Sequence, residues 1–203
     1  MRGLLLLAAW VLSASGCQVV PATGTIGSSS SCLSNNVAEV SGIEVGINNS
    51  NGARSSIGQS FKTSTTALSI TSAQLRLIAL ESGSTRVTGT VTLTIEGDNA
   101  GSPAGNILGF ASIDAATVRP VSSSYYTFTF ATPISLVAQK TYWLKLDASY
   151  SSNPISLIEW AARNDNPYVN GAAAYYNTSS GLNVWSDGLV PNYDFIFQLI
   201  CAS

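Results

Sequence analysis

The amino-acid sequence predicts an all-β protein, an antiparallel two-sheet β-sandwich of jelly-roll type. Hydrophobic and polar residues alternate in many short runs, as in half-buried strands. Gly, Asn, Ser and Pro separate these runs at close intervals. No helical pattern follows the first 16 residues. Because the runs differ in length and several connections are long, we prefer a sandwich to a closed sheet of even hairpins.

The clearest stretch is residues 126–147, YTFTFATPISLVAQKTYWLKLD. It contains two alternating runs joined by a link that holds Pro133 and a turn at residues 138–140. The residues that share one face of each run are Tyr126, Phe128 and Phe130, and Tyr142, Leu144 and Leu146. Trp143 falls on the opposite face of the second run, beside Lys145 and Asp147. We therefore predict two neighbouring antiparallel strands, with Trp143 exposed.

Further strands are predicted on both sides of this stretch. The runs cover residues 43–47, 57–61, 74–79, 90–96, 107–118, 155–162, 172–176, 184–185 and 193–201. The cleanest alternation is in residues 90–96, where Val91, Leu93 and Ile95 are expected to face inward. Two dense turn clusters, GDNAGSPAG at 97–105 and NDNPYVNG at 164–171, mark long loops.

The first 16 residues have the features of a cleaved export signal. Arg2 precedes an apolar run at 4–12, which is too short to span a bilayer, and small residues follow. The ending Ala-Ser-Gly-Cys resembles the lipobox of bacterial lipoproteins, in which the cysteine, here Cys17, is acylated. An ordinary signal peptidase site is the alternative. Residues 17–41 are rich in Ser and Gly and read as a flexible tether, so the sandwich domain is predicted at 42–203.

Three cysteines raise the question of which two pair. If Cys17 is acylated, Cys32 and Cys201 remain as an even pair, and their bond would staple the two ends of the domain. An extracytoplasmic location permits such a bond. The alternative is two unpaired thiols.

Composition excludes several classes of function. The chain has no histidine, which removes Ser-His-Asp and Cys-His catalysis and the commonest ligand of catalytic zinc. Only 10% of the residues are charged, the formal net charge is −2, and no basic cluster is present, which argues against a nucleic-acid partner. We expect no cofactor.

Residues 57–200 resemble the choice-of-anchor domains of exported bacterial proteins. The likeness rests on Gln59-Ser60-Phe61, VTLTIEGDNAGSPAGNIL at 91–108, Phe128-Thr129-Phe130 with Pro133 and Leu136, and Thr141-Tyr142-Trp143-Leu144. It implies a surface-displayed β-sandwich without assigned catalysis. This chain lacks the hydrophobic C-terminal sorting segment of many such proteins, and a lipid on Cys17 would supply the anchor instead.

Aromatic residues are the candidates for a sugar-stacking platform, because a ring offers an apolar plane to the C–H face of a pyranose. They are Trp143, Trp160, Tyr175, Tyr176 and Trp185. The alternative for each is a structural role in the core. Asp98 and Asn99, with Asp165 and Asn166 in the second loop, offer oxygens to a structural calcium ion, although these are also the preferred residues of turns.

The sequence favours a non-catalytic, exported cell-surface module that binds a glycan or a protein and reaches the membrane only through an N-terminal lipid. A secreted form is the alternative location. A structural subunit of a surface layer or appendage is the second candidate function. The third is a polysaccharide hydrolase using a carboxylate pair from Glu81, Glu96, Asp147 and Glu159.

Overall fold

The computed structural model describes residues 31–36, 38–39, 41–48, 53–81, 87–151, 157–165, 168–177, 185–186 and 192–202. Within these ranges the chain forms strands and one 3-10 turn, Ala115–Thr117, but no α-helix. The strands in chain order are β1 Ser31–Asn35, β2 Ser41–Asn48, β3 Ala53–Lys62, β4 Leu68–Leu80, β5 Thr88–Asp98, β6 Pro103–Asp114, β7 Ser124–Leu136, β8 Thr141–Ser151, β9 Leu157–Arg163, β10 Ala173–Asn177, β11 Trp185–Ser186, β12 Asp194–Phe195 and β13 Phe197–Cys201. No helix in the described part of the chain is long and apolar enough to cross a membrane.

The strands form two antiparallel sheets that share one core. Sheet A contains β1, β13, β4, β7, β9 and β12. Sheet B contains β11, β10, β3, β8, β5 and β6, in that order. Phe61 of sheet B and Phe197 of sheet A meet across the interior with ring centroids 6.2 Å apart. The all-β antiparallel prediction is confirmed, and the jelly-roll type stays a prediction.

Strand β2 connects the two sheets at a corner. Its first half pairs with β9 in sheet A, and its second half pairs with β3 in sheet B. The change of partner falls at Gly46, whose φ of 133° lies in a region that side chains rarely adopt. Glycine therefore lets one strand leave one sheet and enter the other.

The core consists of the side chains that the alternation places inward. Val91, Leu93 and Ile95 of β5 are fully buried, as the pattern in residues 90–96 predicts. Leu144 and Leu146 of β8 are fully buried beside them. Burial of such side chains is the main favourable term in folding, at about 1.5–3 kcal/mol for each large aliphatic side chain.

The prediction that the two runs of residues 126–147 pair with each other is wrong. β7 pairs with β4 in sheet A, whereas β8 pairs with β3 and β5 in sheet B. The link crosses the sandwich because the apolar face of each strand must meet the same core from opposite sides. Pro133 also lies inside β7 and not in the link, at a shift of register between Thr129 and Ile134. An edge strand tolerates proline there because it has no partner on one side.

The predicted tether at 17–41 extends too far. Ser31–Asn35 forms β1, which pairs with β13, and Leu33 packs against the core. The predicted disulfide between Cys32 and Cys201 is present, with Cα atoms 5.7 Å apart. This bond holds a segment without alternation against the last strand, so the folded domain begins before residue 42. Cys17 and the rest of residues 1–30 lie outside the described residues.

Candidate functional site

The outer face of sheet B brings hydroxyl and charged side chains into register across neighbouring strands. Thr92 of β5 is paired with Asp147 of β8 on one side and with Ser112 of β6 on the other. Ser56 of β3 donates a hydrogen bond to Asp147. We call this surface the polar face and define it as Ser56, Thr92, Thr94, Ser112, Lys145 and Asp147. It points away from the core because Leu93, Leu144 and Leu146, which alternate with its members, point inward.

Lys145 is the centre of the polar face. Its Nζ lies 3.1 Å from Asp147 Oδ2 and 3.6 Å from Glu96 Oε1. Burial disfavours the ammonium, but the two carboxylates outweigh it, and the pKa of Lys145 is raised above its ordinary value of 10.5. Lys145 therefore stays protonated at neutral pH, as a hydrogen-bond donor and not as a base. The Lys145 and Asp147 side chains keep 25% and 40% of their surface exposed, so solvent reaches the pair.

Glu96 lies beside this pair but is buried, and its carboxylate is held by several partners. Oε2 accepts a hydrogen bond from the Gly105 N–H at 2.8 Å, and Oε1 accepts one from Thr94 Oγ1 at 3.1 Å. The Gly105 contact fastens residues 98–105, the turn between β5 and β6 together with the strand ends beside it, over one end of the polar face. Glu96 thus acts as an anchor for this loop.

The same loop covers Trp143, which is only 1% exposed, so the predicted exposure of this side chain is wrong. The indole Nε1 donates to Asp98 Oδ1 at 2.7 Å. The ring lies against Gly58, where an added Cβ would be 3.1 Å from Trp143 Cε3 and 3.5 Å from Pro103 Cγ. Trp143 does point to the outer face, as its alternation indicates. The loop that follows β5 then closes over it, which a strand pattern does not reveal.

Trp160 is fully buried in sheet A, so the stacking role predicted for it is also wrong. Its ring stacks on Phe195 with centroids 4.7 Å apart. Its Nε1 donates to the Ile196 carbonyl oxygen at 2.9 Å. The indole contributes to the core and has its one polar group satisfied, as buried tryptophans require.

The two tyrosines of β10 point to opposite sides of sheet B. Tyr175 packs against the core, whereas Tyr176 is paired with Ser56 and lies at one end of the polar face. Both side chains are half-buried. The Trp185 backbone pairs with Tyr176, and the Trp185 side chain lies outside the described part of the chain. Of the five aromatic candidates, Tyr176 is the one that the described structure places beside the polar face.

The candidate calcium ligands are used in other ways. Asp98 accepts from Trp143 and, through Oδ2, from the Gly101 N–H at 3.4 Å. Asn99 closes a turn through its backbone N–H and carbonyl, both bonded to Ser102. Asp165 forms a bidentate pair with Arg163 at 2.7 Å, and Asn166 lies outside the described residues. Among the described residues no three His, Cys, Asp or Glu side chains cluster as a metal site would require.

Of the four candidate hydrolase carboxylates, the structure brings Glu96 and Asp147 together, on either side of Lys145. Glu159 lies on β9 of sheet A, next to the core residue Trp160, and Glu81 follows the end of β4. With Glu96 buried and bonded, this arrangement lacks an open pair of carboxylates facing a cleft.

A second polar cluster, formed by Gln59 and Asp194, is fully buried inside the sandwich. Gln59 Nε2 donates to Asp194 Oδ1 at 3.2 Å, and Gln59 Oε1 accepts from the Phe195 N–H at 2.7 Å. Asp194 Oδ2 accepts from the Tyr168 N–H at 2.7 Å. Burial raises the pKa of Asp194 despite these hydrogen bonds. The cluster fixes the loop that carries Tyr168 and is structural.

Sequence reasoning did not identify Lys145 as a candidate site residue, nor the hydroxyls of Ser56, Thr92 and Ser112. Alternation identifies their outward direction, but only the register between strands shows that they form one surface. Comparison with known proteins adds no assignment, since no family model and no curated protein matches the chain.

Proposed function

We propose that this protein is an exported, non-catalytic module that binds carbohydrate on the polar face of sheet B. The observation that carries the proposal is the solvent-accessible pair of Lys145 and Asp147, beside the hydroxyls of Thr92 and Ser112 on the neighbouring strands. Ser56 and Thr94 are buried, and their hydroxyls hold the carboxylates of Asp147 and Glu96 in place. Sugars present hydroxyl groups at close spacing, and this surface offers both charged donors and charged acceptors to them.

The dimensions of the surface suit an oligosaccharide. From β10 to β6 it crosses five adjacent strands, roughly 19 Å at the usual spacing between strands. Tyr176 at one end supplies a half-buried ring with an apolar plane. Gly58, which is paired with Lys145, has no side chain, and the Trp143 ring and Pro103 occupy the space over it.

We propose a binding protein and not a hydrolase because of the burial and protonation of the charged groups on the polar face. A hydrolase needs one carboxyl that gives up a proton and another that is open to the sugar. Glu96 is buried beneath the loop at residues 98–105, and Lys145 holds its proton at neutral pH. Lys145 thus suits binding, whereas Glu96 has a structural role.

Export and lipid anchoring at Cys17 belong to the same proposal. The Cys32–Cys201 disulfide supports it, since such bonds persist mainly in oxidising compartments. We expect the wild-type protein to fractionate with membranes and Cys17→Ser to be released in soluble form. Equal membrane retention of the two proteins would contradict the anchor.

The test of carbohydrate binding is a glycan array followed by calorimetric titration of the strongest oligosaccharide. We expect Lys145→Met and Asp147→Asn each to weaken binding about tenfold or more, because each removes a charged partner from the sugar hydroxyls. Arg163→Met is the matched control. It breaks another solvent-accessible ion pair, Arg163–Asp165, which lies away from the polar face, and it should leave glycan affinity unchanged. Failure to bind any glycan, or equal affinities in all four proteins, would overturn the proposal.

A further inference from the structure

Phe110 is the one exposed phenylalanine of this chain. The other five are at most 6% exposed, whereas Phe110 is 65% exposed. It stands on β6 between Gly109, which faces the core residue Ile134, and Ala111, which is buried in the core. Because side chains alternate along a strand, the Phe110 ring points to the outer side of sheet B. Packing of the core therefore does not account for this ring.

The register of sheet B places Phe110 at the border of the polar face. Phe110 is paired with Thr94, and Thr94 is paired on its other side with Lys145. Phe110 and Lys145 thus lie in one row, two strand spacings or roughly 10 Å apart. Ser112, the next outward residue of β6, is hydrogen-bonded to Thr92 through the two hydroxyls at 2.9 Å. An apolar ring therefore stands beside hydroxyl groups and a charged pair.

Open space adjoins the ring in both directions along β6. Toward β7, Phe110 and Leu108 line a groove of about 630 Å³. In the other direction, past Ser112, hydroxyl and carboxylate side chains line an open pocket of about 600 Å³, among them Thr88, Thr90 and Asp114. A ligand that lies on the ring therefore has room to extend to either side.

One class of sugar matches an exposed ring beside hydrogen-bonding groups. A pyranose whose substituents are all equatorial has two apolar C–H faces, and its hydroxyl groups project sideways from the edge of the ring. One face can then stack on Phe110 while the hydroxyls reach Ser112 and the neighbouring strands. An axial hydroxyl on that face would be pressed against the phenyl ring and lose its hydrogen bonds to water.

The linkage between the sugars matters as well. Equatorial linkages give an extended chain, which can cross the sheet from Phe110 toward Lys145 and Asp147. Axial linkages bend the chain away from a flat surface. The row that joins Phe110 to the ion pair thus favours an extended oligosaccharide.

We propose that Phe110 is the stacking platform of the polar face and that its ligand is an extended chain of equatorial pyranoses, a cellulose-type glucan. This inference rests on the proposed carbohydrate binding and adds the class of sugar to it. Phe110 on β6 and Tyr176 on β10 then stand at opposite ends of the polar face, with Lys145 and Asp147 between them.

The experiment is calorimetric titration with cellohexaose of the full chain carrying Cys17→Ser, so that acylation does not contribute. We expect binding, and Phe110→Leu should weaken it about tenfold, because leucine is apolar but has no ring. Phe110→Tyr keeps a ring and should bind within about twofold of the parent protein. Val121→Ala is the matched control, because Val121 is 88% exposed in the loop before β7, and it should leave the affinity unchanged.

Two further measurements test the sugar and the contact. Maltohexaose contains the same glucose units in axial linkage, and it should bind at least about fivefold more weakly than cellohexaose. In NMR spectra, axial C–H protons of bound cellohexaose should shift upfield through the ring current of Phe110, and Phe110→Leu should abolish this shift. Thermal unfolding of each variant separates loss of binding from loss of fold.

The outcomes distinguish this inference from the proposed function. If Lys145→Met weakens cellohexaose binding and Phe110→Leu does not, the stacking platform is overturned and the polar face stands as the binding surface. Equal affinity for maltohexaose, or failure to bind cellohexaose in a protein that binds another glycan, overturns the class of sugar. A protein that binds no glycan overturns both proposals.

Discussion

Asp98 accepts a hydrogen bond from the indole Nε1 of Trp143 at 2.7 Å, across 45 positions of sequence. This contact ties the loop after β5 to the middle of sheet B. It explains why a tryptophan on an outward strand face is nearly inaccessible to solvent. The position of the loop determines how much of the outer face of sheet B is accessible to a ligand. The first prediction therefore concerns the hydrogen bond that holds the loop in place.

Asp98→Ala should destabilise the fold by about 1–3 kcal/mol, because it leaves the buried indole N–H without its acceptor. Urea unfolding followed by tryptophan fluorescence measures the change. Asn99→Ala is the control, since the backbone of Asn99, and not its side chain, closes the turn with Ser102. It should change stability by less than about 0.5 kcal/mol. Equal stability of the two variants would show that the contact contributes nothing.

Removal of the Cys32–Cys201 bond should destabilise the protein by about 2–5 kcal/mol, because it releases a loop with a sequence separation of 169 residues. The comparison is the urea midpoint of the wild type with and without a phosphine reductant. The Cys32→Ser/Cys201→Ser double variant should have the same urea midpoint as the reduced wild type, and addition of the reductant should not change that midpoint. An unchanged wild-type midpoint on complete reduction would contradict the prediction.

Stability should fall between pH 10 and 12 because of Tyr168. Burial, followed by the nearby Asp194 carboxylate, raises the pKa of Tyr168 from 10.0 to about 12. The unfolded chain releases the phenolic proton from about pH 10 upward, while the folded protein keeps it until about pH 12, so the folded state loses stability over this interval.

Tyr168→Phe is the matched variant, because it keeps the ring that meets Phe197 edge-on at 5.6 Å. Its free energy of unfolding should decline less than that of the wild type over the same interval. Parallel pH profiles for the two proteins would exclude Tyr168 as the titrating group.

Gly171→Ala should destabilise the fold by about 1–3 kcal/mol through a steric clash. An added Cβ would lie 2.0 Å from the Ser60 carbonyl oxygen and 2.8 Å from Tyr168 Cε1. The Ser60 backbone cannot move easily, since its N–H donates to the Ala172 carbonyl oxygen at 2.9 Å. Thermal unfolding measures the effect against Asn170→Ala, an exposed neighbour. Equal melting temperatures would mean that the loop absorbs the methyl group.

Alternation in the amino-acid sequence correctly predicts which side of strand β5 faces the core. Val91, Leu93 and Ile95 are buried where the alternation predicts, because a strand has a period of two and apolar side chains avoid water. The pairing of Cys32 with Cys201 also followed from counting the cysteines and setting Cys17 aside for the lipid. Both inferences need only the residue pattern and the number of cysteines, and not the order of the strands.

The neighbours of each strand, and the loops that cover it, become visible in the folded chain and not in the sequence. β7 and β8 are separated by a short link yet lie in opposite sheets, because pairing depends on long-range contacts that local alternation does not encode. For the same reason Trp143 is buried by a loop, and Lys145 meets Glu96 from another strand. The candidate site forms when the register between strands brings residues from separate strands onto one face. For this reason the sequence identified the aromatic candidates but not Lys145, which lies at the centre of the polar face.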